Sequence, residues 1–262
     1  MQLMKRMAKR MLLIVLCFLP LSARPSENSI NTPHNILHSW WFSHSENIYR
    51  RVDIYLPAAY DTCSQPLPIV YLIHGINGYE GSWQDMGDAV DTLESLVAAG
   101  RCQPMILVMP DCNKWPFFER PTNHGNLWKC VFHYGRLSHE HQIEYAISDL
   151  MNSMDSLYHP AFTAIAGLSD GARMAANVAN VRQSSVQAVG LFSPVLHKDQ
   201  LPDNTTSCYY IYAGKQDFFY GHANRFHKRM ERAEYPHQFI AWEGGHNWQM
   251  WRRCLADFLL QL

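Results

Sequence analysis

Short continuous runs of apolar residues alternate along the chain with longer stretches in which apolar residues recur every three or four positions. A continuous run is typical of a strand buried on both faces of a parallel sheet, and the longer period predicts a helix. Buried strands are predicted at residues 68–73, 105–109, 162–168, 188–192, 208–212 and 238–242. Helices are predicted at residues 90–100, 140–158, 172–177 and 251–260.

Residues 36–56 differ, because apolar and polar side chains there alternate one by one. Val52, Ile54 and Leu56 share one face, and this alternation predicts antiparallel strands at a sheet edge. Strands that alternate with helices favour a mostly parallel sheet with helices on both faces. We therefore expect a single α/β domain over residues 36–262, with neither a repeat nor an interdomain linker.

The first residues predict a targeting signal. Four cations lie within residues 5–10, and the apolar run at 11–21 is short for a membrane span. Ser22 and Ala23 supply a cleavage site, so residues 1–23 are interpreted as a signal peptide and 24–35 as a disordered leader. The protein is then exported, periplasmic or secreted, with no stable membrane association after cleavage. The alternative is an uncleaved membrane anchor.

Composition narrows the function classes. Hydrophobic residues make up 47% of the chain and charged residues 17%, and the formal net charge of -1 gives no polyanion-binding signature, so nucleic acid is not an expected partner. No pattern indicates an oligomeric state.

The seven cysteines fall to six when Cys17 leaves with the signal. Their spacing is not that of a metal site, and neither a metal nor a cofactor is expected. An oxidising compartment allows disulfides, and six cysteines allow fifteen connectivities. One set pairs Cys63 with Cys102, Cys112 with Cys130, and Cys208 with Cys254. Buried free thiols remain the alternative.

Residues 167–171 read Gly-Leu-Ser-Asp-Gly, between an apolar run and a helix-forming stretch. This layout predicts a nucleophile elbow, in which Ser169 sits at the apex of a sharp strand-to-helix turn with strained backbone angles. The glycines are needed because side chains beside the apex would collide with the neighbouring strand and helix.

Two further reactive residues follow predicted strands. Asp217 comes after the strand at 208–212, and His246 comes after the strand at 238–242. The order Ser, Asp, His is that of α/β hydrolases. His246 would be the base that activates Ser169 and then the acid that protonates the leaving alcohol, and Asp217 would hold its tautomer. Glu243 and Asp203 remain alternatives to Asp217.

Backbone N–H groups must stabilise the oxyanion of such a reaction. One is expected from Asp170, directly after the nucleophile. The other is expected from Ile76, in the glycine-rich loop that begins at His74. His74 itself is expected to fix the loop through hydrogen bonds and not to act as a second base.

Several motifs in order resemble one family. They are Tyr-Leu-Ile-His-Gly at 71–75, Glu-Gly-Ser-Trp at 80–83, Val-Met-Pro-Asp at 108–111, the elbow, Gly-Lys-Gln-Asp at 214–217 and Gly-His-Asn-Trp at 245–248. Together they resemble the putative-esterase (esterase D-like) family, which includes feruloyl and acetylxylan esterases, S-formylglutathione hydrolases and mycolyl transferases. The resemblance covers Val52 to the C-terminus. It implies an α/β-hydrolase fold, the triad Ser169, Asp217 and His246, and the oxyanion donors Ile76 and Asp170.

Aromatic residues on loops near the predicted site would line the substrate pocket. They are Trp83, Trp128, Phe218 and Trp248. Residues 110–138 form either a lid or substrate wall, or a hydrophobic cluster over the sheet. The resulting hypothesis is an exported serine carboxylesterase for small-molecule or polysaccharide esters, of the feruloyl or acetylxylan type. The alternatives are an acyltransferase of the mycolyl type and a non-catalytic carbohydrate-binding protein on a hydrolase scaffold.

Overall fold

The computed structural model describes residues 35–113, 140–196 and 206–262. The predicted signal peptide, almost all of the leader, Trp128, Cys130 and Asp203 lie outside these ranges, as does most of the segment at 110–138.

One eight-stranded sheet organises the described chain. Its strands are β1 (Ile36–Ser43), β2 (Ile48–Tyr55), β3 (Ile69–Ile73), β4 (Ile106–Pro110), β5 (Thr163–Leu168), β6 (Ala188–Phe192), β7 (Cys208–Gly214) and β8 (His237–Trp242). They lie in the order β1-β2-β4-β3-β5-β6-β7-β8. β1 pairs with β2, and β2 with β4, in antiparallel fashion. Every later pairing is parallel, so the predicted antiparallel edge and parallel centre are both confirmed.

The helices of the described residues are α1 (Ser82–Asp85), α2 (Ala89–Ala98), α3 (Glu140–Tyr158), α4 (Asp170–Arg182), α5 (Tyr220–Arg232) and α6 (Trp248–Leu260). Short 3₁₀ turns occur at Ala58–Asp61 and Gln183–Ser185. The bounds of α3 agree with those predicted. α6 begins three residues earlier than predicted, because the Asn247 side chain caps it by accepting a hydrogen bond from the N–H of Met250 at 3.1 Å.

Two apolar layers enclose the sheet. Ile69, Tyr71 and Ile73 of β3 pack on one side with residues of α3, α4 and α5. Val70 and Leu72 pack on the other side with residues of α2 and α6. This alternation explains why the central strands read as continuous apolar runs, since both of their faces are buried. Because the central strands run parallel, their carboxyl ends lie together at one edge of the sheet, where loops can converge.

The disulfide pairings set out above are wrong where the structure tests them. Cys102, Cys208 and Cys254 are free thiols, so neither the Cys63–Cys102 nor the Cys208–Cys254 bond forms. Cys254 lies wholly inside the core on α6, where it packs as a small apolar side chain and burial raises the pKa of its thiol. Cys112 is likewise a buried free thiol.

No helix within the described ranges has both the length and the apolar character needed to cross a bilayer.

Candidate active site

The turn between β5 and α4 has the predicted elbow geometry. Ser169 joins the two elements with φ +55° and ψ -117°, a backbone region that residues other than glycine rarely occupy. Such a conformation costs about 1–3 kcal/mol and persists only where the surroundings impose it. Here the N–H of Ser169 donates to the carbonyl of Phe192 at the end of β6, at 2.8 Å.

The elbow glycines are required by close backbone approaches. A Cβ on Gly167 would overlap the carbonyl of Gly171, and a Cβ on Gly171 would overlap the carbonyl of His74 and lie 2.5 Å from that of Ile73. The predicted collisions with the helix and with the adjacent strand are confirmed.

Ser169, His246 and Asp217 meet at the carboxyl edge of the sheet. His246 Nε2 lies 3.0 Å from Ser169 Oγ, and His246 Nδ1 lies 2.9 Å from Asp217 Oδ2. An ionised carboxylate only accepts hydrogen bonds, so Nδ1 carries the proton and Nε2 is left to accept from the serine hydroxyl. Residues far apart in sequence thus form one continuous line of hydrogen bonds.

Backbone contacts hold the last two loops together. Lys215 N–H donates to the carbonyl of Trp242 at 2.8 Å, and Gln216 N–H donates to that of Gly244 at 3.0 Å. Glu243, an alternative to Asp217, is engaged by the side chains of Lys215 and Gln216 instead of by His246. It is bound to Lys215 at 2.8 Å with its side chain 67% exposed. The structure therefore places Asp217, and not Glu243, beside His246.

Asp217 is buried, yet its carboxyl group favours the ionised form. Burial raises its pKa, but hydrogen bonds from His246, Ser193 and the N–H of Phe219 outweigh that effect, and the pKa lies below its ordinary value. The Phe219 N–H lies 2.7 Å from Oδ1. The sequence pattern did not single out Ser193 or Phe219 as partners of this carboxylate.

The two expected oxyanion donors lie on segments that flank Ser169. Asp170 is the first residue of α4, where helix geometry leaves the backbone N–H without an intrahelical acceptor. Ile76 lies in a turn that closes through the hydrogen bond from Gly78 N–H to Gly75 O at 3.1 Å, a bond that leaves the Ile76 N–H outside the turn. A Cβ on Gly75 would lie 2.6 Å from Leu168 Cδ1 and 3.5 Å from Ser169 Cβ, so this loop passes directly against the elbow.

His74 braces this loop, as expected. Its Nε2 accepts from the N–H of Cys112 at 2.8 Å, so Nδ1 carries the proton and donates to the carbonyl of Gly75 at 2.7 Å. With both ring nitrogens engaged, His74 has no nitrogen free to act as a base. Asn113 adds a side-chain hydrogen bond to the carbonyl of Gly78. Arg50, which the sequence pattern did not single out, in turn donates to the carbonyl of Asn113 at 2.6 Å.

The carboxylate beside the nucleophile is paired. Asp170 Oδ1 accepts from Arg173 Nε at 2.8 Å, within the first turn of α4. Arg173 also donates to the buried Glu144 of α3 at 3.1 Å. The carboxylate of Asp170 is therefore neutralised by the guanidinium of Arg173 on the same helix.

The aromatic residues expected at the substrate pocket separate into two groups. Trp83 is 0% exposed and packs edge-on against Phe192 and Trp248, so its assignment to the substrate site is wrong. It contributes apolar area to the layer below the site. Trp248 is half-buried between Trp83 and Trp251. Phe218 is 74% exposed, with its ring centroid 4.7 Å from that of His246.

In the described ranges, no group of three or more His, Cys, Asp or Glu side chains is arranged to hold a metal ion.

The sheet order, the elbow and the chain order of the three polar residues define an α/β-hydrolase fold. Residues 43–205 match the model of the family described as Putative esterase, which is more than half of the chain. The chain belongs to this family.

Known proteins similar to this chain include a curated endo-1,4-beta-xylanase/feruloyl esterase from Xylanibacter ruminicola. It is 24% identical over 240 residues, which are 87% of this chain and 31% of that protein. The chain thus spans about a third of the length of this relative.

Two solved structures show the same fold. One is a ferulic acid esterase from Anaeromyces mucronatus in complex with ferulic acid, with 20% identity, a TM-score of 0.71, and coverage of 92% of this chain and 95% of that one. The other is an S-formylglutathione hydrolase from Staphylococcus aureus, with 16% identity, a TM-score of 0.69, and coverage of 90% and 99%.

Proposed function

We propose that this protein is an exported serine esterase that cleaves feruloyl or acetyl esters of plant polysaccharides through an acyl-enzyme on Ser169. The observation that carries the proposal is the hydrogen-bond line from Ser169 Oγ through His246 to Asp217. Its geometry is that required for a base to remove the serine proton during attack.

In the first half-reaction, Ser169 Oγ attacks the ester carbonyl while its proton passes to His246 Nε2. Asp217 stabilises the imidazolium that forms. The carbonyl oxygen becomes an oxyanion, for which the N–H groups of Asp170 and Ile76 are the proposed donors. His246 then gives the proton to the departing alcohol oxygen as the C–O bond breaks.

In the second half-reaction, water takes the place of the alcohol. His246 accepts a proton from the water as the water oxygen attacks the acyl carbon. It then gives that proton to Ser169 Oγ as the bond between Oγ and the acyl carbon breaks. The products are a carboxylic acid and the free enzyme.

The choice of a feruloyl ester rests on Phe218. An exposed aromatic ring beside the base offers a surface on which a planar phenolic acyl group can stack. The similarity to a xylanase/feruloyl esterase and to a ferulic acid esterase that binds ferulic acid supports the same choice. Export is proposed from the N-terminal pattern at residues 1–23, and it would bring the enzyme to polymer-bound esters outside the cell.

A combined labelling and substrate experiment tests the proposal. The mature protein is assayed on p-nitrophenyl acetate, methyl ferulate and acetylated xylan before and after treatment with a fluorophosphonate. A sample of the treated protein is digested and analysed by mass spectrometry to locate the adduct. We expect one adduct, on Ser169, together with loss of hydrolysis of every ester in the panel. An adduct on a different serine, or full activity after stoichiometric labelling of Ser169, would refute the mechanism. If Ser169 is labelled but the untreated protein hydrolyses no ester in the panel, the result would favour an acyltransferase that needs its own acceptor.

Phe218→Ala is expected to lower kcat/KM for methyl ferulate about 3- to 10-fold, because one aromatic contact is lost. Its effect on p-nitrophenyl acetate should be small, since an acetyl group has no ring to stack. Tyr145→Ala is the matched control, because Tyr145 is also an exposed aromatic residue, 51% exposed on α3. Equal losses on both esters in Phe218→Ala would contradict the role assigned to this ring.

A further inference from the structure

Ser193 stands at the end of β6 in a conformation that its type does not favour. Its φ is +50°, in the left-handed region, and the residue is 1% exposed. Its N–H donates to the carbonyl of Tyr212 in β7 at 2.8 Å, which draws Ser193 toward the strand that leads to Asp217. A buried serine held in such a conformation invites a functional explanation.

The hydrogen-bond direction at Ser193 follows from its partners. The indole Nε1 of Trp251 lies 3.1 Å from Ser193 Oγ and can only donate, so Oγ is the acceptor. The proton of the serine hydroxyl is then left for a different acceptor. The carboxylate of Asp217 is that acceptor, since hydrogen bonding from the Ser193 side chain is among the effects that lower the pKa of this carboxyl.

We propose that Ser193 is a positioning residue for ester hydrolysis, whose hydroxyl, oriented by the indole of Trp251, holds the Asp217 carboxylate in the alignment that His246 requires. The inference rests on the proposed function, since it assumes that Asp217 and His246 act with Ser169. Ser193 does not touch the substrate, because it is buried beneath the site.

Asp217 is thereby held by three donors from three elements. Phe219 N–H engages Oδ1 at 2.7 Å and His246 engages Oδ2 at 2.9 Å, and the Ser193 side chain, directly after β6, is the third donor. The same Trp251 that orients Ser193 packs edge-on against the His246 ring, with centroids 4.9 Å apart. Cys254 on α6 also senses the charge of Asp217, and burial raises the pKa of this thiol so that it stays neutral.

The test compares Ser193→Ala and Ser193→Gly in the full mature protein. Both remove the hydroxyl, but glycine accepts a positive φ whereas alanine does not. We expect both to lower kcat for p-nitrophenyl acetate about 10-fold with KM unchanged, because a hydrogen bond to a charged group is lost. A carboxylate with one donor fewer keeps more negative charge beside the imidazolium of His246. The acid limb of kcat/KM against pH should therefore move to higher pH in both variants.

Trp251→Phe provides a second route to the same contact. It removes the indole donor and keeps an aromatic ring against His246, so it should shift the acid limb in the same direction by a smaller amount. In the double variant Ser193→Ala/Trp251→Phe, the shift should match that of Ser193→Ala alone, because Trp251 acts through Ser193.

Distinct outcomes separate this inference from the proposed function. Lower thermal stability in Ser193→Ala with a wild-type kcat and pH profile would show a structural role only and overturn the inference. A pH shift in Ser193→Ala that Ser193→Gly lacks would assign the effect to backbone strain and also overturn it. If fluorophosphonate does not label Ser169, the proposed function fails, and the positioning role fails with it.

Discussion

Replacing Ser169 with alanine is expected to lower kcat for ester hydrolysis by at least about 10⁴-fold, because no other group at the elbow can form the acyl-enzyme. The folded structure should persist, since alanine keeps the Cβ and loses only the hydroxyl that faces His246 at 3.0 Å. The measurement is kcat on p-nitrophenyl acetate and methyl ferulate, with the thermal midpoint as a check on folding.

Ser207→Ala is the matched control for this variant. Ser207 is also buried, and its Oγ donates to the carbonyl of Val186 at 2.6 Å, directly before β7 and therefore at the opposite edge of the sheet. Its loss should cost about 1 kcal/mol of unfolding free energy and leave kcat unchanged. Wild-type kcat in Ser169→Ala would show that the elbow serine is not the nucleophile.

Gly171→Ala is expected to have the largest effect on stability. A methyl group at this position would overlap the carbonyl of His74 and lie 2.5 Å from that of Ile73, so β3 and α4 would have to separate. Overpacking of this kind costs about 3 kcal/mol or more, because the obstructing atoms are backbone and cannot rotate away. Urea unfolding followed by circular dichroism measures the loss.

Gly221→Ala tests whether the effect belongs to the position or to the exchange itself. Gly221 lies in the first turn of α5, and an added Cβ would meet only the end of the Arg225 side chain, at 3.3 Å. Alanine within a helix should stabilise the protein by up to about 1 kcal/mol relative to glycine. Unfolding midpoints for Gly171→Ala that equal those of the parent would mean that the strand and the helix are not packed as closely as described.

Local patterns were sufficient for much of the fold and of the candidate site. The 3.6-residue period of α3 predicted its bounds, and the continuous apolar runs located the central strands, because burial on both faces leaves a direct mark on sequence. Ser169, Asp217 and His246 could be predicted because each follows a strand of a parallel sheet, and such strands end at a common edge.

Other assignments depended on distances that no local pattern contains. Trp83 and Phe218 are both aromatic residues on loop-like segments, yet one is fully buried under the sheet edge and the other stands exposed beside His246. The difference arises from α1, whose short helical turn directs Trp83 into the core. The incorrect disulfide pairings have the same origin, because pairing depends on the separation of elements in space.

The sequence by itself determined the fold class, the elbow, and the three residues that meet at it. The period of apolar residues and the order of the reactive residues can both be read directly along the chain. Only the tertiary structure decided which groups surround those residues. It placed Ser193 and Trp251 behind Asp217, and His74 and Asn113 behind the loop of Ile76. These side chains belong to separate strands and helices, and a hydrogen bond between them exists only when packing of the core brings their elements within about 3 Å of one another.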